Sequence, residues 1–426
     1  MTTETTISRI RGTHDWLDLK LYNFVLTEVE KHLALYDFTQ IATPLIESTH
    51  LFKRSLGLQT DVVSKEMFTI TPHAESSEDI CLRPEATASV MRAFLENKSA
   101  ITTPWSVYLH GPMFRYERPQ KGRFRQFHQI NIETIGIDST TIDVQFAVLL
   151  ERLFAERFGL QNYALRINFL GCSSDRQIAR AQLNQFLESH ASKLCQTCLV
   201  RKDKNILRVF DCKNSACQEI YQTAPRILDH LCTTCKTEWE QIKSNLELLS
   251  VSYSIDSLLV RGLDYYDKLV FEFSSEQLGS QTAFCGGGRY NGLAQQLGAQ
   301  HAVPAIGAAI GIERLMLLLQ ENQTPLKLSS SPPLFAVIPF ETAQHQLGLL
   351  IADQMRANEL RTELIIQKTP KSAFKHADKL GVQTAVIIGS DEVAQGTLTI
   401  KNMRTGQQNS IRQEKLIATL NEHMTI

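Results

Sequence analysis

Several features are missing from this sequence, and each absence narrows what the chain can be. No apolar run approaches the roughly 20 residues that cross a bilayer, so no membrane-spanning helix is expected. The opening stretch, MTTETTISRIRG, has no signal-peptide core, and Glu4 is unlike the acid-poor start of a transit peptide, so a cytoplasmic location is expected. Neither GxxxxGKS/T nor GxGxxG occurs, which excludes a P-loop and a Rossmann turn as the means of holding a nucleotide. Neither charge is in excess: 44 Lys and Arg stand against 45 Asp and Glu, so a nucleic-acid partner must be met by local patches. What is present is ordinary soluble-globular composition, 43% hydrophobic and 21% charged, over 426 residues, enough for two or three domains with cores. Nine cysteines in a reducing compartment are not expected to form disulfides.

The organising stretch is residues 107–136, VYLHGPMFRYERPQKGRFRQFHQINIETIG. It reads as two β-runs, 107–117 and 127–135, joined by a loop, 118–125, that carries Pro119, Gly122, Arg118, Lys121, Arg123 and Arg125. Side chains two apart share a strand face, so Arg115 pairs in direction with Glu117, and Gln129 with Asn131 and Glu133. Guanidinium, amide and carboxylate in one row suit a small zwitterion beside a phosphate. Standing alone, such a hairpin reads more readily as the solvated face of a surface hairpin.

Company comes from elsewhere. Residues 17–36 carry apolar side chains at helical spacing, and 38–41 reads as a short strand. In LRPEATASVMRAF, Glu85 falls in the first turn of a helix, opposite the positive end of its dipole. Residues 141–158 are helical and 163–170 a strand. From 172 to 255 the chain turns helical, polar and cysteine-bearing, which reads as an insertion into a sheet domain that resumes near 258. Two CxxC pairs within it, Cys195/Cys198 and Cys232/Cys235, have the spacing of a structural zinc site, with Cys212 and Cys217 between them.

After a strand at 268–273, the AFCGGGRYNGL stretch is expected to form a glycine-rich turn that lets backbone approach a ligand. AIGAAIGIERLMLLL passes from strand to helix near Gly311, with Arg314 in the first turn; a cation there opposes the dipole and implies an anion to meet. TPLKLSSSPP reads as a linker, and beyond it strands and helices alternate as a separate α/β domain of about 90 residues.

Together, RPEATA, FRYERPQKGRFRQFHQ, RGLDYY, GGGRYNGL and GIERL resemble the histidine–tRNA ligases, a family of class II aminoacyl-tRNA synthetases, over nearly the whole chain. RGLDYY and GGGRYNGL are the specific pieces; the hairpin and GIERL belong to the whole class. Ala86 stands where the family usually has glycine, and Asn131 where a small residue is common.

The resemblance implies an α+β protein: an antiparallel catalytic domain (1–171 and 256–323) interrupted by the insertion (172–255), then a linker (324–333) and an anticodon-binding domain (334–426). It implies ATP and Mg2+ as cofactors, histidine and its tRNA as partners, and a homodimer formed through the helix and strand up to Pro44. By the same analogy Arg115 holds the α-phosphate, Arg314 the γ-phosphate, and Arg261 stands opposite Arg115 in the catalytic step. Glu117 reads adenine; Glu85, Thr87, Gln129 and Glu133 surround the amino acid's ammonium and carboxylate; Tyr265 and Tyr266 face the imidazole. Gln120 and Arg123 touch the tRNA acceptor end. The alternatives are an inactive paralogue that regulates an ATP phosphoribosyltransferase, and a synthetase for threonine, proline or glycine.

Overall fold

Alternation of apolar and polar side chains builds the sheet at the centre of the larger part of the chain. Eight strands lie in the order Thr39–Gln40, Trp105–Phe114, Gln126–Ile135, Ala305–Gly311, Ala283–Arg289, Asp267–Ser274, Ala164–Phe169 and Ser254–Ile255. The inner pairs are antiparallel, and one short parallel pair closes each edge. Strand Gln126–Ile135 sends Ile130 and Ile132 into a core shared with Val25, Val29, Val144 and Leu315, contributed by helices Lys20–Ala34, Thr140–Arg152 and Ile312–Glu321. Gln129, Asn131 and Glu133 therefore look out of the opposite face, as the strand period requires.

The computed structural model describes residues 7–424 except 58–59, 72–78, 205, 280–281 and 322–331. The chain divides into two compact units, Met1–Leu328 and Ser329–Ile426. The expected linker 324–333 lies, apart from its last two residues, outside the described residues. Among those described, no helix is long and apolar enough to cross a membrane.

Three expectations are corrected. The first helix begins at Lys20, because Asp18 accepts the Lys20 amide at 2.8 Å, and Leu17 is left 98% exposed outside it. Helix Thr87–Glu96 begins two residues after Glu85, which caps it from outside. The three glycines are not a turn but the middle of strand Ala283–Arg289. A side chain on Gly287 would run into the Gly307 carbonyl and one on Gly288 into the Leu269 carbonyl, so the strand threads between its neighbours only without them.

Within 172–255 the described residues are helical from Ser173 to Leu248, while Ser254–Ile255 already belongs to the large sheet, and the helices do not pack as one body. Helix Thr233–Leu248 buries Trp239, Ile242 and Leu246 in the main core, with Trp239 5.7 Å from Phe169. Helices Gln196–Lys204 and Ser215–Tyr221 instead share a small core with Leu183 and Leu187 of helix Ser173–Ser189.

The second unit has its own five-stranded sheet, in the order Thr362–Leu364, Phe335–Pro339, Thr384–Ile388, Thr397–Asn402 and Gln408–Arg412. Its first three strands are parallel and joined by helices His345–Ala357 and Pro370–Lys379. Thr369 accepts the Ser372 amide at 3.2 Å and Pro370 follows it, a start signal that fixes where the second helix begins. The closing antiparallel hairpin, TLTIKN paired with QNSIR, was not read from the sequence, because its polar outer strand lacks an apolar period.

Candidate active site

On the open face of the large sheet lies a cavity of about 340 Å³, and Arg115, Arg261 and Arg314 all line it. They come from three distant stretches, each placed by a different device. Arg115 follows strand Trp105–Phe114; its Nε donates to the Pro84 carbonyl at 2.9 Å and its guanidinium lies 5.2 Å from the Phe127 ring centroid. Arg261 donates through Nη1 to Glu272 Oε2 at 2.8 Å, above Gly286, where any side chain would occupy the space of the guanidinium. Arg314 donates to the carbonyls of Gly122 (2.9 Å) and Ala283. Its helix is pinned to the sheet by Glu313, which accepts the His128 amide and faces His128 Nδ1 at 2.9 Å.

Burial draws the Arg314 guanidinium below its usual range, Glu117 acts against that, and Arg115 and Arg123 add to it as neighbouring cations. The guanidinium groups of five arginines, Arg115, Arg123, Arg208, Arg261 and Arg314, line one space and call for a polyanion.

The other end of the cavity is carboxylate-rich. Glu85 is buried and accepts the amides of Thr87 (2.8 Å) and Ala88 (2.9 Å), a cap that leaves its charge at the helix N-terminus. Glu133 is fully buried; it accepts hydrogen bonds from Thr87 Oγ1 at 2.7 Å and Tyr290 Oη at 2.5 Å. Burial outweighs those two bonds and pushes its carboxyl up to about 8. A side chain on Gly307, its partner across the sheet, would overlap that carboxylate. The Tyr265 hydroxyl is 3.5 Å from Glu85, and the rings of Tyr265 and Tyr266 lie 4.6 Å apart.

Among the buried polar atoms of cavity residues, Gln129 Oε1, Asn131 Oδ1 and Arg261 Nε have no hydrogen-bond partner among the described atoms. Leaving such groups unpaired costs about 1–3 kcal/mol each, so the cavity is shaped for something that pairs them.

The residues read from the sequence thus gather on one cavity: Glu85, Thr87, Arg115, Glu117, Arg123, Gln129, Arg261, Tyr265, Tyr266 and Arg314 line it, and Glu133 sits directly behind Thr87. Gln120 is exposed, in a tight turn with Arg123. Arg123 does not point outward: it pairs with Glu117 and lies 3.5 Å from Glu66. Sequence reasoning missed Tyr290, Glu272, Glu313 and Gly307. Glu272 was findable as the lone charge within the apolar run LVFEF.

One expected constellation does not exist as read. The two CxxC pairs do not meet. Cys195 and Cys198 cluster with Cys212 and Cys217, whereas Cys232 and Cys235 cluster with Cys172 and Asp175. The reason is packing: Cys232 and Cys235 start the helix that belongs to the main core, and Cys198, Cys212 and Cys217 are buried in the small one.

Comparison with known proteins agrees with this geometry. Residues 22–315 match the family model described as histidyl-tRNA synthetase, and residues 335–423 the anticodon binding domain. The chain is 41% identical over 420 residues to the histidine–tRNA ligase of Syntrophotalea carbinolica, covering 98% of each. It is 40% identical over 412 residues to that of Halothermothrix orenii, covering 96% of this chain and 97% of the relative. Among solved structures, apo histidyl-tRNA synthetase of S. aureus superposes with a TM-score of 0.79 at 31% identity, over 97% of this chain and 99% of that one. A family model spanning more than half the chain and near-full-length relatives at this identity leave one assignment: the chain belongs to the histidyl-tRNA synthetase family.

Proposed function

We infer that this chain joins histidine to the 3′ end of its tRNA in two steps, and that the convergence of Arg115, Arg261 and Arg314 on one cavity carries the reading. In the first step an oxygen of the histidine carboxylate attacks the α-phosphorus of ATP. The bond from that phosphorus to the bridging oxygen breaks, releasing pyrophosphate and leaving histidyl-adenylate. In the second, a ribose hydroxyl of the terminal adenosine attacks the activated carbonyl, AMP leaves with the bonding pair, and the ester forms.

Neither step needs a protein nucleophile; both need positioning and stabilised charge. Arg115 meets the α-phosphate, Arg314 the outer phosphates, and Arg261 the carboxylate and α-phosphate from the opposite side. Arg261 Nε is the donor still spare for that task. Glu85 and Glu133 face the ammonium, with Thr87 and Tyr290 holding Glu133 in place. Gln129 offers its unpartnered oxygen to the same group. Tyr265 and Tyr266 take the imidazole. A pocket that satisfies both ring nitrogens leaves buried polar groups unpaired with any other amino acid, a discrimination of up to about 10⁴–10⁵. Adenine entry exchanges the present Glu117–Arg123 pair for a contact between Glu117 and the base amino group.

Glu66, which also lines the cavity, fits a hard cation. Burial and the nearby Glu117 push the Glu66 carboxyl up, so a cation bound beside it would be favoured. It would hold magnesium together with phosphate oxygens, and the ion would there neutralise the outer phosphates.

The exposed Arg118, Gln120 and Lys121 suit the phosphates and bases of an acceptor stem. The second unit suits unstacked anticodon bases. Pairing with a second copy of the chain fits the exposed Leu45 and Ile46, at the open edge strand Ile46–Ser48 of a separate three-stranded sheet completed by Ile80–Leu82 and Thr69–Ile70.

The deciding experiment is amino-acid-dependent exchange of pyrophosphate into ATP across all twenty amino acids. Exchange with histidine alone is expected. No exchange with any would make the chain a regulator, and exchange with threonine, proline or glycine would move it to another specificity.

A further inference from the structure

The cysteines are grouped by the fold into two sets, and only one of them is made of four sulfurs. Cys195, Cys198, Cys212 and Cys217 have all four sulfurs within 4.8 Å of one another. Cys195 Sγ and Cys212 Sγ are 3.7 Å apart. A disulfide would bring them to about 2.05 Å. A tetrahedral zinc with Zn–S bonds of about 2.3 Å has S···S edges of about 3.8 Å. Backbone amides already aim at the sulfurs: Cys195 N–H donates to Cys217 Sγ at 3.3 Å and Asn214 N–H to Cys212 Sγ at 3.4 Å. Such donors favour thiolates. The buried hydroxyl of Tyr221, in the same small core as Cys198, has no partner in hydrogen-bonding geometry among the described atoms.

We propose that Cys195, Cys198, Cys212 and Cys217 bind one zinc ion, tetrahedral and closed, which fixes the insertion's small core. Four protein sulfurs leave no position for water, so the ion is structural. The core it joins is small, built on Leu183, Leu187, Leu194, Ile206, Val209 and Tyr221, the size at which an added cross-link matters.

The bracketed stretch also reaches the active site. Arg201 and Arg208 lie 3.8 and 3.5 Å from Asp61 Oδ2, and both Arg208 and Asp61 line the cavity. The ion therefore holds one wall of the substrate cavity, and its loss raises KM more than it lowers kcat.

Cys172, Asp175, Cys232 and Cys235 form the built-in comparison. Both oxygens of Asp175 are already taken by the amides of Cys172 (3.2 Å) and Cys232 (3.0 Å), and Cys232 is exposed. That set caps two helices and is assigned no ion.

The test is elemental analysis of the full chain purified without chelator. One zinc per chain is expected in the wild type and in the double variant Cys232→Ser/Cys235→Ser. Cys212→Ser/Cys217→Ser should lose it. Should that variant fail to fold, cobalt exchanged into the wild type decides, through the intense visible bands and thiolate charge transfer of a tetrahedral four-sulfur site. The proposal is overturned by metal-free wild type, by iron in place of zinc, by zinc that survives Cys212→Ser/Cys217→Ser, or by zinc that leaves with Cys232 and Cys235.

Discussion

Two arginines at opposite ends of one strand's neighbourhood show how the chain separates structure from chemistry. Arg289 ends strand Ala283–Arg289 and is fully buried. Its Nε donates to Asp143 at 2.8 Å, its Nη1 to the Ile137 carbonyl (3.0 Å) and Asn291 (3.2 Å), and its Nη2 to Asp143 and the Ser139 carbonyl. Each nitrogen is engaged. Arg261 lies over the middle of the same strand, above Gly286, with its side chain 20% exposed. It has one carboxylate partner, Glu272, which is shared with Arg166, and its Nε has none. A guanidinium kept for the fold spends all its donors within the protein. On the proposed reading Arg261 is kept for a ligand, and its Nε is the donor held back for it.

That contrast can be broken by experiment, most forcefully at Arg289. Arg289→Ala strands Asp143 as a lone buried charge and should cost about 3–5 kcal/mol in urea denaturation, enough to deplete folded protein. A variant with unchanged stability would refute the structural half of the contrast. Next in size, Arg261→His should lower the rate of adenylate formation by about 10²–10³ in kcat while leaving the denaturation midpoint in place. Turnover near wild type would remove Arg261 from the chemistry.

Glu133 sharpens the comparison from the carboxylate side, since its partners are hydroxyls and no cation. Its carboxyl is pushed from 4.5 to about 8 by burial, so the folded state keeps a proton that the unfolded chain gives up. Stability should therefore fall as pH rises from about 4.5 to about 8 and level off beyond. Urea denaturation at pH 5 to 8.5 should show the wild type losing ground to Glu133→Gln over that window; parallel curves would mean the group is not buried as a neutral acid. Binding the histidine ammonium favours the charged form, so calorimetry in two buffers at pH 7 should detect a proton released by the wild type and not by Glu133→Gln.

The smallest effect serves as control. Thr369→Ala removes a helix cap in the second unit, at about 1 kcal/mol, and should lower that unit's melting temperature while pyrophosphate exchange with histidine stays at the wild-type rate.

How much of this was legible follows from the range of the physics involved. Strand period alone put Gln129, Asn131 and Glu133 on one face, and the structure agrees. The strand-to-helix switch at Gly311 and the placing of Arg314 were equally local. What failed was non-local. Two-residue spacers say that Cys195 and Cys198 can share an ion, but not which distant sulfurs complete the shell. Three glycines say that backbone is close to something; in the sheet, that something is the carbonyls of adjoining strands and the Arg261 guanidinium. Tyr290 became visible only when the fold brought it beside Glu133.

The unpaired oxygens of Gln129 and Asn131 and the spare Arg261 nitrogen have a consequence for the protein's life between turnovers. An empty pocket is its most fragile condition, and histidine and ATP act as removable parts of the architecture. At 100 times its Kd a single ligand adds about 2.7 kcal/mol to the native state. Starvation for the amino acid would thereby shorten the survival of the enzyme that consumes it.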